Sequence, residues 1–236
     1  MELRDLHISR GGREVVHGID LTVAAGEVTA LLGANGAGKS STVLAIAGLV
    51  RETSGGVVVD GADLRGAPPG KVRRAGVATV QEGHRVFVDI SVADNLRIAS
   101  LPLPRAARPA AVERVLDLFE ELRSLADRNG GALSGGQQQM LALASALVAT
   151  PKYLVVDEMS LGLAPVIVSR LIPAVRAVAD SGVGVLLIEQ FTQVALELAS
   201  NVTVLAQGSV TLQTTAADLR SDPGLLTQAY RITTQV

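Results

Sequence analysis

Apolar positions interleaved with polar ones at 2–8 and 15–23 predict short strands separated by the turn Arg10-Gly11-Gly12, and the continuous apolar run at 28–32 predicts a third that leads into a glycine-rich loop. A helix over 39–47 follows, with Gly48 as its stop signal. Beyond it the pattern predicts a turn at 53–56, a strand at 56–60, a break of regular structure at 67–70 (Ala-Pro-Pro-Gly) and a buried strand at 77–80. From Ser91 the period becomes helical, over 91–99 and 107–125. The second of these sets Val112, Val115, Leu116, Phe119 and Leu122 on one face, and Pro102, Pro104 and Pro109 punctuate the link. A long helical run at 138–149 closes this region, and strands return at 153–156, 183–188, 202–205 and 209–212. The expected architecture is one α/β domain over 1–236, with 1–85 and 151–236 forming the core and about 86–150 a helical insert. No internal repeat or low-complexity segment interrupts it.

Composition narrows the setting. Hydrophobic residues make up 48% of the 236, but none of the apolar runs approaches the ~20 residues that a membrane span needs. The start MELRDLHISR lacks an apolar signal core and there are no cysteines, so a cytoplasmic location without disulfides is expected. A net charge of −2 and only 2% aromatic residues argue against a nucleic-acid partner. The large apolar fraction hints at an extra buried contact, as with a membrane protein.

The loop LLGANGAGKSST at 31–42 fits G-x-x-x-x-G-K-[ST], with Gly33, Gly38, Lys39 and Ser40 in register. Glycines let successive amides of Asn35, Gly36, Ala37 and Ser41 turn toward one anion, and the helix that starts at Lys39 adds its positive end to the same place. Lys39 is expected to reach β- and γ-phosphates and Ser40 to ligate Mg²⁺. A second signal is the strand Tyr153-Leu154-Val155-Val156 followed by Asp157 and Glu158. Ligands of open α/β sheets collect at such strand ends, so Asp157 is placed to hold Mg²⁺ through its water shell and Glu158 to orient and deprotonate an attacking water. The third is Leu133-Ser134-Gly135-Gly136-Gln137. Ser134 and Gln137 have capping-box spacing, which reads as a well-capped helix start; glycines at the first helical positions read instead as a second phosphate-seeking helix end, used across an interface.

The order GANGAGKS, LSGGQ, LVVDE along the whole chain resembles the nucleotide-binding subunits of ATP-binding cassette (ABC) transporters. The resemblance implies a P-loop NTPase fold: a RecA-like α/β core with an antiparallel β subdomain, plus an inserted α-helical subdomain. It implies that two subunits sandwich two ATP molecules, the loop 33–40 of one facing Ser134, Gly135, Gly136 and Gln137 of the other. SMC- and Rad50-type ATPases share these motifs but carry a long coiled coil, and no heptad run lies between Lys39 and Asp157.

Finer features, VQEGHRVF at 80–87, SLGLAP at 160–165 and the pair Glu189-Gln190, are most similar to LivF-type ATPases of branched-chain amino acid importers. By that likeness Glu82 takes the position of the sensing Gln, with Gln81 one residue earlier and either able to reach the metal shell. Gln190 replaces the usual His, hydrogen-bonding the γ-phosphate or the water without becoming cationic. Arg10 stands where the family carries an aromatic ring against adenine; it either stacks through its guanidinium plane or is an ordinary turn residue. Met159 replaces a usual Pro and Ser145 a common Arg. His7, His17 and His84 lack metal-ligand spacing and read as surface or loop residues.

What the family implies is a Mg-ATP hydrolase, a dimer with itself or with a sister ATPase. It would be peripheral on the cytoplasmic face of the inner membrane, bound to transmembrane permease subunits through a loop from Gln81 to about Leu96, and served indirectly by a substrate-binding protein. Related urea or amide importers, a soluble ABC-type assembly ATPase and a subunit of little intrinsic activity remain alternatives.

Overall fold

The computed structural model describes residues 1–83 and 85–231. In chain order, strands β1 (Glu2–Arg10) and β2 (Arg13–Thr22) form a hairpin, and β3 (Val28–Leu32) runs into α1 (Lys39–Ile46). Then come β4 (Thr53–Val59), β5 (Ala62–Asp63), α2 (Pro69–Arg74) and β6 (Val77–Val80). The helices α3 (Val92–Ala99), α4 (Arg108–Leu118) and α5 (Gly135–Leu147) precede β7 (Tyr153–Asp157). The chain ends with α6 (Pro165–Asp180), β8 (Gly184–Glu189), α7 (Thr192–Leu198), β9 (Asn201–Ala206), β10 (Ser209–Thr215), α8 (Ala216–Ser221) and α9 (Gly224–Arg231).

Two sheets organise these elements. An antiparallel sheet has the order β2-β1-β4-β5, and a six-stranded sheet has the order β10-β9-β3-β8-β7-β6, parallel except at β10. Strands β3, β7 and β8 are buried on both faces, which is why they read as unbroken apolar runs. Their alternate side chains serve two cores. Ala30, Leu32, Leu154, Val156, Val185 and Leu187 pack with the helices, including Val92, Leu96, Val115, Phe119 and Leu141. Leu31, Val155, Leu186 and Ile188 pack with α1 and the antiparallel sheet, including Leu6, Ile8, Val43 and Ile46. Because β3, β8 and β7 are adjacent and parallel, the loops leaving their carboxyl ends meet on one edge.

Three expectations are corrected. Residues 53–55 are the start of β4, not a turn: Gly55 sits at φ +80° inside a bulge against Asp5, where a Cβ would lie 1.9 Å from the Asp5 carbonyl oxygen. The Ala-Pro-Pro-Gly segment starts α2, since a proline in the first turn lacks only an N–H that has no helical partner. The helix expected over 107–125 stops at Leu118; Phe119 leaves helical geometry at φ −126°, ψ 63°, and a 3₁₀ segment covers Glu120–Leu125. The buried face is nevertheless as expected, with Val115, Phe119 and Leu122 in the core and Val112 and Leu116 against it. Among helices the apolar pattern did not single out, α6 carries Pro173 in its interior. Gly55→Ala is expected to destabilise the protein by about 2–4 kcal/mol in denaturant melts, through the forced φ and the clash together.

Candidate functional site

The glycine-rich loop leaves β3 and is shaped by contacts that leave no room for side chains. A Cβ on Gly33 would lie 2.5 Å from the Leu205 carbonyl oxygen, and Gly38 caps α1 at φ 109°. The turn after β9 props the loop from behind, for Gly208 N donates to Ala37 O at 2.9 Å while His17 N donates to Gly208 O at 2.8 Å. Lys39 is only 4% exposed and donates to the carbonyls of Gly33 (2.9 Å) and Ala34 (3.2 Å), with Glu158 Oε1 4.0 Å away. A buried ammonium held over such a nest is an anion site.

A cleft of about 480 Å³ opens here, lined by Asn35, Gly36, Gly38, Lys39, Ser40 and Ser41 from the loop, with Glu82, Glu158 and Gln190 opposite and Val15 and Leu161 at its rim. Ala37 and Gly33 face a neighbouring cleft of about 560 Å³, shared with Gln190 and Thr192. Gln81 lines neither; it belongs to a separate cavity with Thr79, Arg85 and Ala142. Of the two residues left open for the metal shell, Glu82 lines the cleft.

Asp157 ends β7 and is buried, and its Oδ1 has no hydrogen-bond partner. Burial pushes its carboxyl up to about 6, with the negative charges of Glu158 and Glu82 adding to the effect and Lys39 opposing it. An orphaned, desolvated carboxylate oxygen whose charged neighbours include Glu158, Glu82 and Lys39 fits a hard cation, and Ser40 is exposed on the cleft. Among the described residues no group of three or more His, Cys, Asp or Glu is placed to hold a metal ion. Glu158 itself adopts φ +49°, a conformation non-glycine residues rarely hold, and is fixed by its N–H to Ile188 O at 2.9 Å. Met159, next to it, is fully buried.

Two predicted groups lie apart. Ser134, Gly135, Gly136 and Gln137 form the start of α5 and line no part of the cleft. Both halves of the capping box are present, Gln137 N to Ser134 Oγ at 3.3 Å and Ser134 N to Gln137 Oε1 at 3.0 Å, and Gln137 Nε2 also donates to Glu121 Oε1 at 2.8 Å. Gly136 has a packing reason of its own: a Cβ there would lie 2.4 Å from Ile167 Cγ2 on α6. Gly135 is exposed. Arg10 lines another cleft of about 290 Å³ with Leu44, Leu49 and Arg51. Arg10→Ala is therefore expected to change the half-saturating ATP concentration by less than about twofold, whereas a stacking role predicts a loss of roughly 1 kcal/mol or more in nucleotide-binding assays.

His7 and His17 flank Glu14 on the surface of the hairpin, at 2.6 and 3.4 Å, and His84 lies outside the described residues. Residues 16–160 match the pattern of the ABC transporter family, from the hairpin through the loop, the α5 start and the acidic end of β7. The chain belongs to the ABC transporter family. As an ABC ATPase it binds and hydrolyses ATP. It is 36% identical over 213 residues to the high-affinity branched-chain amino acid transport ATP-binding protein BraG of Pseudomonas aeruginosa, covering 90% of this chain and 91% of that protein. It is 33% identical over 220 residues to the probable branched-chain amino acid transport ATP-binding protein LivF of Archaeoglobus fulgidus, covering 92% and 93%. A solved ATP-binding subunit of an ABC transporter superposes with a TM-score of 0.85 at 27% identity, covering 99% of both chains. The P-loop fold and the LivF-type resemblance are both supported by these likenesses. Val15 at the cleft rim was not foreseen, and Glu189 was noted only as a neighbour of Gln190; a lone acid ending an apolar strand was its only signal.

Proposed function

We propose that this ABC ATPase is the energy-coupling subunit of an importer for branched-chain or other hydrophobic amino acids. It sits on the cytoplasmic face of the membrane against transmembrane permease subunits, with an external binding protein as an indirect partner. The observation that carries the reading is the convergence of Lys39, Ser40, Glu82, Glu158 and Gln190 on one cleft while Ser134 and Gly135 stay exposed elsewhere. A phosphate site lacking its signature half is what a two-subunit sandwich requires, with a second copy or a sister ATPase providing that half. The names of the relatives support the solute class. The permease surface is supported by the segment after Glu82, where Phe87 and Val88 are 59% and 50% exposed. Asn95 anchors this segment to α3, accepting from Phe87 N at 2.9 Å and donating to Phe87 O at 3.0 Å. No helix among the described residues is long and apolar enough to cross a membrane, so attachment falls to such a surface.

In this mechanism the loop amides and Lys39 bind the β- and γ-phosphates, and Gln190 orients the γ-phosphate or the attacking water. Glu158 takes the proton of that water, and Glu82 senses the γ-phosphate at the start of the segment that meets the permease. Ser40 and Asp157 would hold Mg²⁺, which when bound neutralises charge on the phosphate oxygens. The insert over about 86–150 acts as the arm that carries Ser134–Gln137 to the partner. Reconstitution with its permeases and binding protein tests the reading: ATP-driven uptake of leucine or valine, lost in Lys39→Ala, is expected. Uptake of urea or short amides instead would overturn the solute class, and a wholly cytosolic complex would overturn the membrane assignment.

A further inference from the structure

Glu189 ends β8 and is 1% exposed, a charged group taken out of water. It is kept there by donors from the loop that carries Glu158. Ser160 contributes its Oγ at 2.7 Å and its backbone N–H at 3.1 Å, and the nearby amides of Gln190 and Phe191 favour the ionised carboxylate. Burial pushes this carboxyl up, and these hydrogen bonds hold it down in part. Ser160 is itself buried, two residues past Glu158, and its carbonyl accepts from Leu163 N at 3.2 Å, so it is fixed in the loop that carries Glu158. Ionised carboxylate is acceptor-only, and every partner here is a donor, so the match belongs to Glu and to no neutral isostere. A glutamine would keep the volume but aim an NH₂ at N–H groups.

We propose that Glu189 is a positioning residue for hydrolysis, clamping the Glu158 loop to the Gln190 loop so that base and γ-phosphate ligand keep one mutual geometry. The inference rests on the assignment of Glu158 and Gln190 to the hydrolytic step. ATP itself is held by Lys39 and the loop amides, which Glu189 does not touch, so disturbance of the clamp falls on turnover and not on binding. Misplacing a reacting group by about 1 Å can cost roughly 100-fold in rate.

The test is steady-state ATP hydrolysis by the transporter complex with Glu189→Gln, Ser160→Ala, the double variant and Glu158→Gln. Expected are a kcat about 10- to 100-fold lower in Glu189→Gln and several-fold lower in Ser160→Ala, with KM for ATP within about twofold of the parent in both. The double variant is expected within about twofold of Glu189→Gln, since both changes cut the same link. An unchanged kcat in Ser160→Ala and Glu189→Gln, or a KM that rises as kcat falls, overturns the proposal. If Glu189→Gln does not fold, Ser160→Ala decides by the same kcat and KM criteria. Parent-rate hydrolysis by Glu158→Gln would instead strike at the assignment of the base, whatever Glu189 does.

Discussion

Replacing Glu158 by Gln is expected to lower ATP hydrolysis at least about 100-fold, or ~2.7 kcal/mol of transition-state stabilisation, while leaving ATP bound and the dimer closed. The amide cannot accept the proton of the attacking water; Asp157 is buried, Gln190 is neutral, and Glu82, the other carboxylate on the cleft, is assigned to sensing the γ-phosphate. Binding should survive, because the side chain is 4.0 Å from Lys39 and the change removes a negative charge facing the phosphates. The backbone should survive as well, since Gln is the same size and the N–H bond to Ile188 O at 2.9 Å does not involve the side chain. Phosphate release and size-exclusion chromatography with Mg-ATP would check this. A variant that turns over at the parent rate and runs as a monomer would rule out both the assignment of the base and the sandwich.

Residues 28–42 and 153–158 could be read directly because their chemistry and their local structure share one signal: an apolar strand buried on both faces, ending where the ligand sits. The start of α5 was legible as a capped helix, but half of its glycine signal turned out to be packing, since Gly136 lies against Ile167, a residue 31 positions later in the chain. Long-range packing of this kind leaves no local trace. The same holds for Gly55, which looked like a turn and is a strand bulge shaped by Asp5, and for the break at Phe119, where the apolar spacing carries on while the backbone does not. Arg10, which by likeness in sequence is either an adenine stack or a turn residue, lines a cleft other than the one that holds Lys39. Glu189 was the opposite case. Its partners come from Ser160, a loop brought near only by the pairing of β7 with β8, so its role emerges once that pairing is known.

Asp157→Asn is expected to make the metal-free protein more stable and the enzyme nearly inactive, a reversal that follows from one carboxylate. In the metal-free fold this group ionises near 6 instead of the ordinary 3.8, so between those values the folded state keeps a proton that the unfolded state has released. Unfolding free energy attributable to Asp157 therefore falls as pH rises through that window and stays low above it. The penalty is of order 1–3 kcal/mol, from about 1.4 kcal/mol per pKa unit discounted for relaxation. Asparagine carries no such charge. With chelator present, thermal melts at pH 8 should place the variant about 2–8 °C above the parent, and the difference should shrink as pH falls through the window and vanish only below the unfolded-state value of 3.8, where Asp157 is protonated in the folded and unfolded states alike. Mg-ATP should change the sign, because a cation held by Asp157, directly or through water, would stabilise its ionised form. Adding Mg-ATP should then raise the melting temperature of the parent more than that of Asp157→Asn, and hydrolysis by the variant should fall about 100-fold. A melting difference that is the same at pH 4 and pH 8 would mean that burial of the Asp157 charge is not what the metal-free fold is resisting.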